Sequence, residues 1–173
     1  STLKYFFDVK NAEENRKLFK DLYIEKSEYF KEQGQYPVIF ISLKDLKKNT
    51  WEDAFFELKA LLREVYEEHS YVKEKLSDIE KEEYDKILMK ADDAEYERAL
   101  RNLTKYLHTY YQKEVVLLID EYDNSLIVAN TFNYYKEAIN FFRDFFSTAL
   151  KTNPYLKIAV LTGIVQVAKE GIF

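Results

Sequence analysis

Three carboxylates within four positions, Asp120, Glu121 and Asp123, stand at the end of the longest aliphatic run in the chain, Val115-Val116-Leu117-Leu118-Ile119. A run apolar at every position suits a strand buried on both faces of a parallel sheet, with helices covering each side. In open α/β sheets, ligands bind beyond the carboxyl ends of the strands. Carboxylates placed there meet a divalent cation or a reacting group while the run itself stays dry. Adjacent Asp and Glu also allow a division of labour. The Asp at the strand tip holds Mg2+ through water, because magnesium prefers hard oxygen ligands and keeps part of its hydration shell. The Glu that follows polarises an attacking water while the metal offsets charge developing on phosphoryl oxygens. Asp120 is therefore the candidate metal residue and Glu121 the candidate catalytic one. Asp123 serves equally well as the cap of a turn. An acidic loop without chemistry is the rival reading, since many α/β proteins place acidic residues after a buried strand.

Elements on either side must position these groups. Tyr36-Pro37 opens a strand through Leu43, proline being tolerated at a strand's first residue. Lys157–Leu161 makes another, ending at Thr162-Gly163, so the three strands lie near 37–43, 114–120 and 157–162. Thr50, backed by Asp53, caps a helix whose apolar stripe is Trp51, Ala54, Phe55, Leu58, Leu61, Leu62 and Val65. A second helix starts at Ser77 with Glu80 in capping-box position and Ile79, Ile87 and Leu88 inward. A third is capped at Asp92 or Asp93, with Tyr96, Ala99, Leu100, Leu103, Leu107 and Tyr110 inward. This is long for one crossover, so about 50–112 is expected to be a helical insertion. A polar loop is expected from Asn124, then a helix from Asn133 to Lys151 that Asn153-Pro154 stops.

At the amino end, Thr2–Phe7 reads as the tail of a helix. Asn11-Ala12-Glu13-Glu14 has the form of a capping box before a short helix burying Leu18, Phe19 and Leu22. Ser27–Gln33 adds a helical piece closed by Gly34, and Ile164–Phe173 reads as a further helix. The alternation gives an α/β class with helices on both faces of a parallel sheet, one domain over 1–173.

Composition excludes several classes. A hydrophobic fraction of 47% supports a core despite 33% charged residues. No window nears the roughly 18 unbroken apolar residues of a membrane helix, and the first residues lack a signal-peptide pattern. Without cysteine there is neither a disulfide framework nor a thiolate metal site. A cytoplasmic protein is the expectation. The net charge of −5, with Lys and Glu alternating as in Lys81-Glu82-Glu83-Tyr84-Asp85-Lys86, argues against direct nucleic-acid binding. His69 and His108 have no partner at metal-ligand spacing and read as structural.

Leu118-Ile119-Asp120-Glu121-Tyr122-Asp123, with Leu161-Thr162-Gly163-Ile164 and Val167–Phe173, resembles the predicted AAA-ATPase-like family of bacteria. Its members often carry a PD-(D/E)XK nuclease-like domain after the ATPase core. Tyr36-Pro37-Val38-Ile39 with Ser42-Leu43-Lys44-Asp45, and Leu3-Lys4-Tyr5-Phe6-Phe7, match further family segments in the right order. The apolar strand ending in Asp-Glu is the Walker B pattern of P-loop ATPases. The resemblance implies a three-layer α/β/α core whose strands lie in the order third, central, first, all parallel. It implies ATP and Mg2+ as cofactors of the full-length parent, with Asp120 on the metal and Glu121 on the water. Thr162 is then a polar sensor near the γ-phosphate, and Asp123 a second nucleotide-binding candidate.

In the family, an Arg-Arg-Phe-Gly-Lys-Thr type phosphate loop precedes the segment beginning at Ser1, and a Ser-Gly-Leu-Asn-Asn type stretch follows the position of Phe173. The resemblance therefore implies a central piece of an ATPase core, lacking the phosphate loop and inactive by itself. The alternative is a non-catalytic α/β scaffold or interaction module with a vestigial acidic strand end. An upstream strand would pair beside the third one, so a bare sheet edge and homodimer formation are expected. Two positions depart from the family pattern. Asn124-Ser125 replaces a common proline, and Gln166 stands where an arginine is frequent, which weakens the copy if that arginine contacts phosphate.

Overall fold

Three strands, β1 (Val38–Ser42), β2 (Val115–Asp120) and β3 (Leu156–Leu161), form a parallel sheet in the order β1-β2-β3 in this computed structural model, which describes residues 1–164. That is the strand order and direction the resemblance implies. The expected helix over Ile164–Phe173, apart from Ile164 itself, and the departure at Gln166 lie outside the described residues.

Register aligns the strand ends that matter, pairing Ser42 with Asp120 and Ile119 with Leu161. Side chains alternate between the two faces of a strand. Ile39, Ile41, Val115, Leu117 and Ile119 point into the main core, while Val38, Val116 and Leu118 form a smaller cluster with Phe7, Tyr36, Phe40 and Val160 on the opposite face.

The main-core face is covered by α3 (Trp51–Glu68), α6 (Ala99–Tyr111), α7 (Tyr122–Thr131) and α8 (Tyr135–Leu150), with α4 (Asp78–Met89) and α5 (Asp93–Glu97) packed outside them. Their starts follow the sequence signals. Thr50 accepts from Asp53 N at 3.2 Å, and Ser77 and Glu80 close a capping box at α4. Helix α8 buries Phe141, Phe142, Phe145 and Phe146. Its carboxyl end is capped by Arg101, whose guanidinium donates to the carbonyls of Thr148, Lys151 and Thr152 at 3.2–3.3 Å. Truncating one of these phenylalanines costs about 3–5 kcal/mol.

The other face carries α1 (Thr2–Phe7), followed by α2 (Ala12–Arg16) and 3-10 turns. A seam ties this layer to the end of α3. Lys4 Nζ pairs with Glu68 at 3.1 Å, and Lys10 Nζ donates to Glu68 O at 3.3 Å while standing 4.2 Å over the Tyr71 ring. His69 is buried beside them, its Nδ1 3.2 Å from Tyr71 OH. Among the described residues, no helix is long and apolar enough to cross a membrane.

Four local expectations are corrected. The segment after the carboxylates is the helix α7, not a loop from Asn124. Asn124 and Ser125 sit in its first turn, where Ser125 Oγ donates to Tyr122 O at 3.2 Å, and its burial is carried by Leu126 and Ala129. The turn before α8 falls at Asn133, whose left-handed φ of 62° ends one helix instead of starting the next. Asn11 caps nothing through its side chain, because its own φ of 54° is left-handed and turns that side chain away from the helix start. Leu18, Leu22 and Ile79 are exposed, at 59%, 50% and 72%. The short α2 gives way to 3-10 turns, which rotates Leu18 and Leu22 outward, and Ile79 sits in the uncovered first turn of α4.

Candidate functional site

Asp120 is the last residue of β2 and lies on the α1 face, in phase with Val116 and Leu118. Three backbone bonds hold the strand ends around it. Leu43 N donates to Asp120 O at 2.9 Å, Thr162 N to Ile119 O at 2.9 Å, and Tyr122 N to Thr162 O at 3.1 Å. The residues after β3 are therefore sewn to the residues after β2. Asn124 Nδ2 adds a bond to Lys44 O at 3.0 Å, tying in the loop after β1.

Within this frame, Asp120 Oδ1 accepts the Thr162 hydroxyl and, at 3.1 Å, its neighbour's amide, Glu121 N. Asp120 Oδ2 makes no hydrogen bond among the described residues. Both side chains line a cavity of about 300 Å3 walled by Phe40, Leu118 and Val160, with Ser1 and Leu3 at the start of α1 on its far side.

The other two carboxylates go elsewhere. Glu121 takes φ 54° and ψ 42°, a left-handed conformation that costs a non-glycine residue about 1–2 kcal/mol. The bend turns the chain directly into α7 and carries the Glu121 side chain off the cavity wall, where it is half-buried. Asp123 is 2% exposed, and its Oδ2 accepts Ile164 N at 2.8 Å. Asp120 and Thr162 are thus brought together, Glu121 is adjacent, and Asp123 faces the backbone that follows Thr162.

No group of three or more His, Cys, Asp or Glu suited to a metal occurs among the described residues. What the site offers is Asp120 Oδ2 beside a hydroxyl. These are hard oxygens, the ligand type that magnesium and calcium take, and too few for an all-protein cage. His69 and His108 lie away from the cavity, His108 Nδ1 standing 2.9 Å from Lys113 O.

A family model described as predicted AAA-ATPase matches residues 1–173. The chain belongs to that family. No curated protein and no solved structure matches it. In this AAA-ATPase-like chain, the sequence pointed to Asp120 and Thr162 as separate strand ends, and the parallel register makes them neighbours. Two features of the site escaped that reading. One is α7, hidden by its polar first turn. The other is the contact between Asp123 and Gly163, for which the signal was a glycine two residues past a strand in a chain with only three.

Proposed function

We propose that this AAA-ATPase-like chain supplies the metal- and water-handling wall of an ATP-hydrolysing site, with the phosphate-gripping wall carried by a Gly-Lys-Thr loop of the family type. The observation that carries the reading is the Thr162 hydroxyl resting on Asp120 Oδ1 at the mouth of a cavity that α1 also lines. Two polar groups from neighbouring strand ends share one small opening, backed by the buried Leu118 and the half-buried Phe40 and Val160.

In the proposed reaction, water adds to the γ-phosphorus as the bond to the β,γ-bridging oxygen breaks, giving ADP and phosphate. Asp120 would hold Mg2+ through Oδ2, and the metal, when bound, offsets charge on the phosphate oxygens. The Thr162 hydroxyl orients the attacking water and reads the γ-phosphate. Glu121 accepts the water's proton. It stands one residue off the cavity wall, and contacts of a general base tighten when substrate binds.

Residues 1–173 contain no Gly-Lys-Thr sequence, so this stretch alone is proposed to hold no nucleotide and to turn none over. Measurable hydrolysis by the purified chain would overturn that part. The scaffold reading draws support from the position of Glu121 off the wall. Glu121→Gln in the full-length protein separates the two. The ATPase reading expects hydrolysis to vanish while ATP binding persists, and undiminished turnover in the variant would favour the scaffold.

A further inference from the structure

Asp123 stands in the first turn of α7, a position usually wet, yet it is 2% exposed. Its carboxylate is spent on the chain that follows Thr162. Oδ2 takes the Ile164 N–H at 2.8 Å. Gly163 lies so close that a methyl group on its Cα would sit 2.5 Å from Oδ1 and 2.7 Å from Cγ. No left-handed φ is involved, so glycine is needed at 163 for space alone. Residues 162–164 are therefore pinned to residues 120–123 at three points. The Thr162 carbonyl accepts Tyr122 N, its hydroxyl donates to Asp120, and Ile164 N donates to Asp123.

We infer that Asp123 is the positioning residue for Thr162. By seating the Gly163-Ile164 backbone against α7, it aims the Thr162 hydroxyl at Asp120 and the cavity, and it does not itself touch nucleotide. The consequence for hydrolysis rests on the ATPase reading, while the pinning does not. A carboxylate suits the task because Oδ2 accepts the Ile164 amide while the rest of the group packs closely on Gly163, where only a missing Cβ leaves room. An asparagine keeps one acceptor, so Asp123→Asn should retain part of the hold and Asp123→Ala none of it.

The test is a double-mutant cycle on the full-length protein, read by thermal melting and by the Thr162 three-bond NMR couplings. Contacting residues deviate from additivity in such cycles. Gly163→Ala should lower the melting temperature by several degrees in the wild-type background and by little in Asp123→Ala, where the clashing oxygens are gone. Should Gly163→Ala fail to fold, a folded Gly163→Ala/Asp123→Ala double variant supports the inference and an unfolded one overturns it. Thr162 should occupy one rotamer in wild type, average over several in Asp123→Ala and be partly restored in Asp123→Asn. Additive melting shifts, or an unchanged Thr162 rotamer in Asp123→Ala, would overturn the inference. Where the wild type hydrolyses Mg2+-ATP, Asp123→Ala should lower kcat roughly 10–100-fold with KM for ATP unchanged. A wild type without turnover would sink the ATPase reading while the cycle and the couplings still decide the pinning.

Discussion

On the main-core face of the sheet, Ile39, Ile41, Val115, Leu117 and Ile119 are at most 1% exposed beneath α3, α6, α7 and α8. On the opposite face Val38, Val116 and Leu118 are buried as well, at 3% or less, but Phe40 and Val160 are only half-buried, Ile158 is 45% exposed, and the cover is α1, a helix of six residues. Asp120 and the Thr162 hydroxyl meet on this second, thinly covered face. The difference separates two tasks. One face buries the apolar area that holds the fold, and the other leaves strand-end oxygens where water and a ligand can reach them. Chemistry placed on the sealed face would first have to open the core.

The largest test of that contrast is a pair of truncations. Leu117→Ala, on the sealed face, should cost about 2–5 kcal/mol, and Val160→Ala, on the open one, about 1 kcal/mol or less. Urea midpoints of the two variants measure this directly, and equal costs would erase the distinction between the sealed centre of the sheet and the half-covered Val160 side of β3.

Next in size is the seam that joins the two covers. Burial first, then the Lys10 ammonium and more weakly Lys4, push the His69 imidazole down from 6.5 to about 4, with Glu68 pulling the other way. The folded value lies below the unfolded one, so the fold favours neutral His69. Its contribution is complete above pH 6.5 and is lost as pH falls from 6.5 towards 4, to an extent of roughly 3 kcal/mol at most. Burial raises the Asp8 carboxyl on the same seam, which opposes the loss at the acid end. Stability by urea should therefore fall between pH 7 and pH 5 in wild type and stay nearly level in His69→Gln. A wild type as stable at pH 5 as at pH 7 would remove the seam from the account.

The smallest effect on stability is expected at the sheet edge. We propose that in residues 1–173 taken alone β3, whose neighbour among the described residues is β2, pairs with β3 of a second copy. Ile158→Lys should change stability by no more than about 0.5 kcal/mol and abolish the dimer in light scattering. A wild type that scatters as a monomer at micromolar concentrations would rule the pairing out.

Much of the frame was legible because burial and period coincide. The run Val115–Ile119 announces a central strand, and Thr50 and Ser77 announce helix starts whose caps form as read. What failed did so where local chemistry has two uses. Tyr122-Asp123-Asn124-Ser125 has the composition of a loop, yet its backbone enters a helix with Tyr122 N on Thr162 O, while the Asp123 and Asn124 side chains reach out to Ile164 N and Lys44 O. Asn11 is a good cap and also a good left-handed residue, and the turn after α1 demanded the second property. Leu18 and Leu22 are apolar at helical spacing, but spacing does not say whether a partner covers that side. At the site, the types of Asp120 and Thr162 were readable, while their contact depended on register across 42 positions of chain. The burial of Asp123 depended on where the chain after β3 returns, which no local pattern states.

The central claim, that the thinly covered face carries the chemistry, rests most directly on Asp120→Asn in the full-length protein, measured as Mg2+-ATP hydrolysis with melting temperature as control. Asparagine still accepts the Thr162 hydroxyl, so the fold should melt as the wild type does. Removing the negative charge from the proposed metal position should lower turnover at least ~100-fold. Wild-type turnover in Asp120→Asn, at an unchanged melting temperature, would contradict the account.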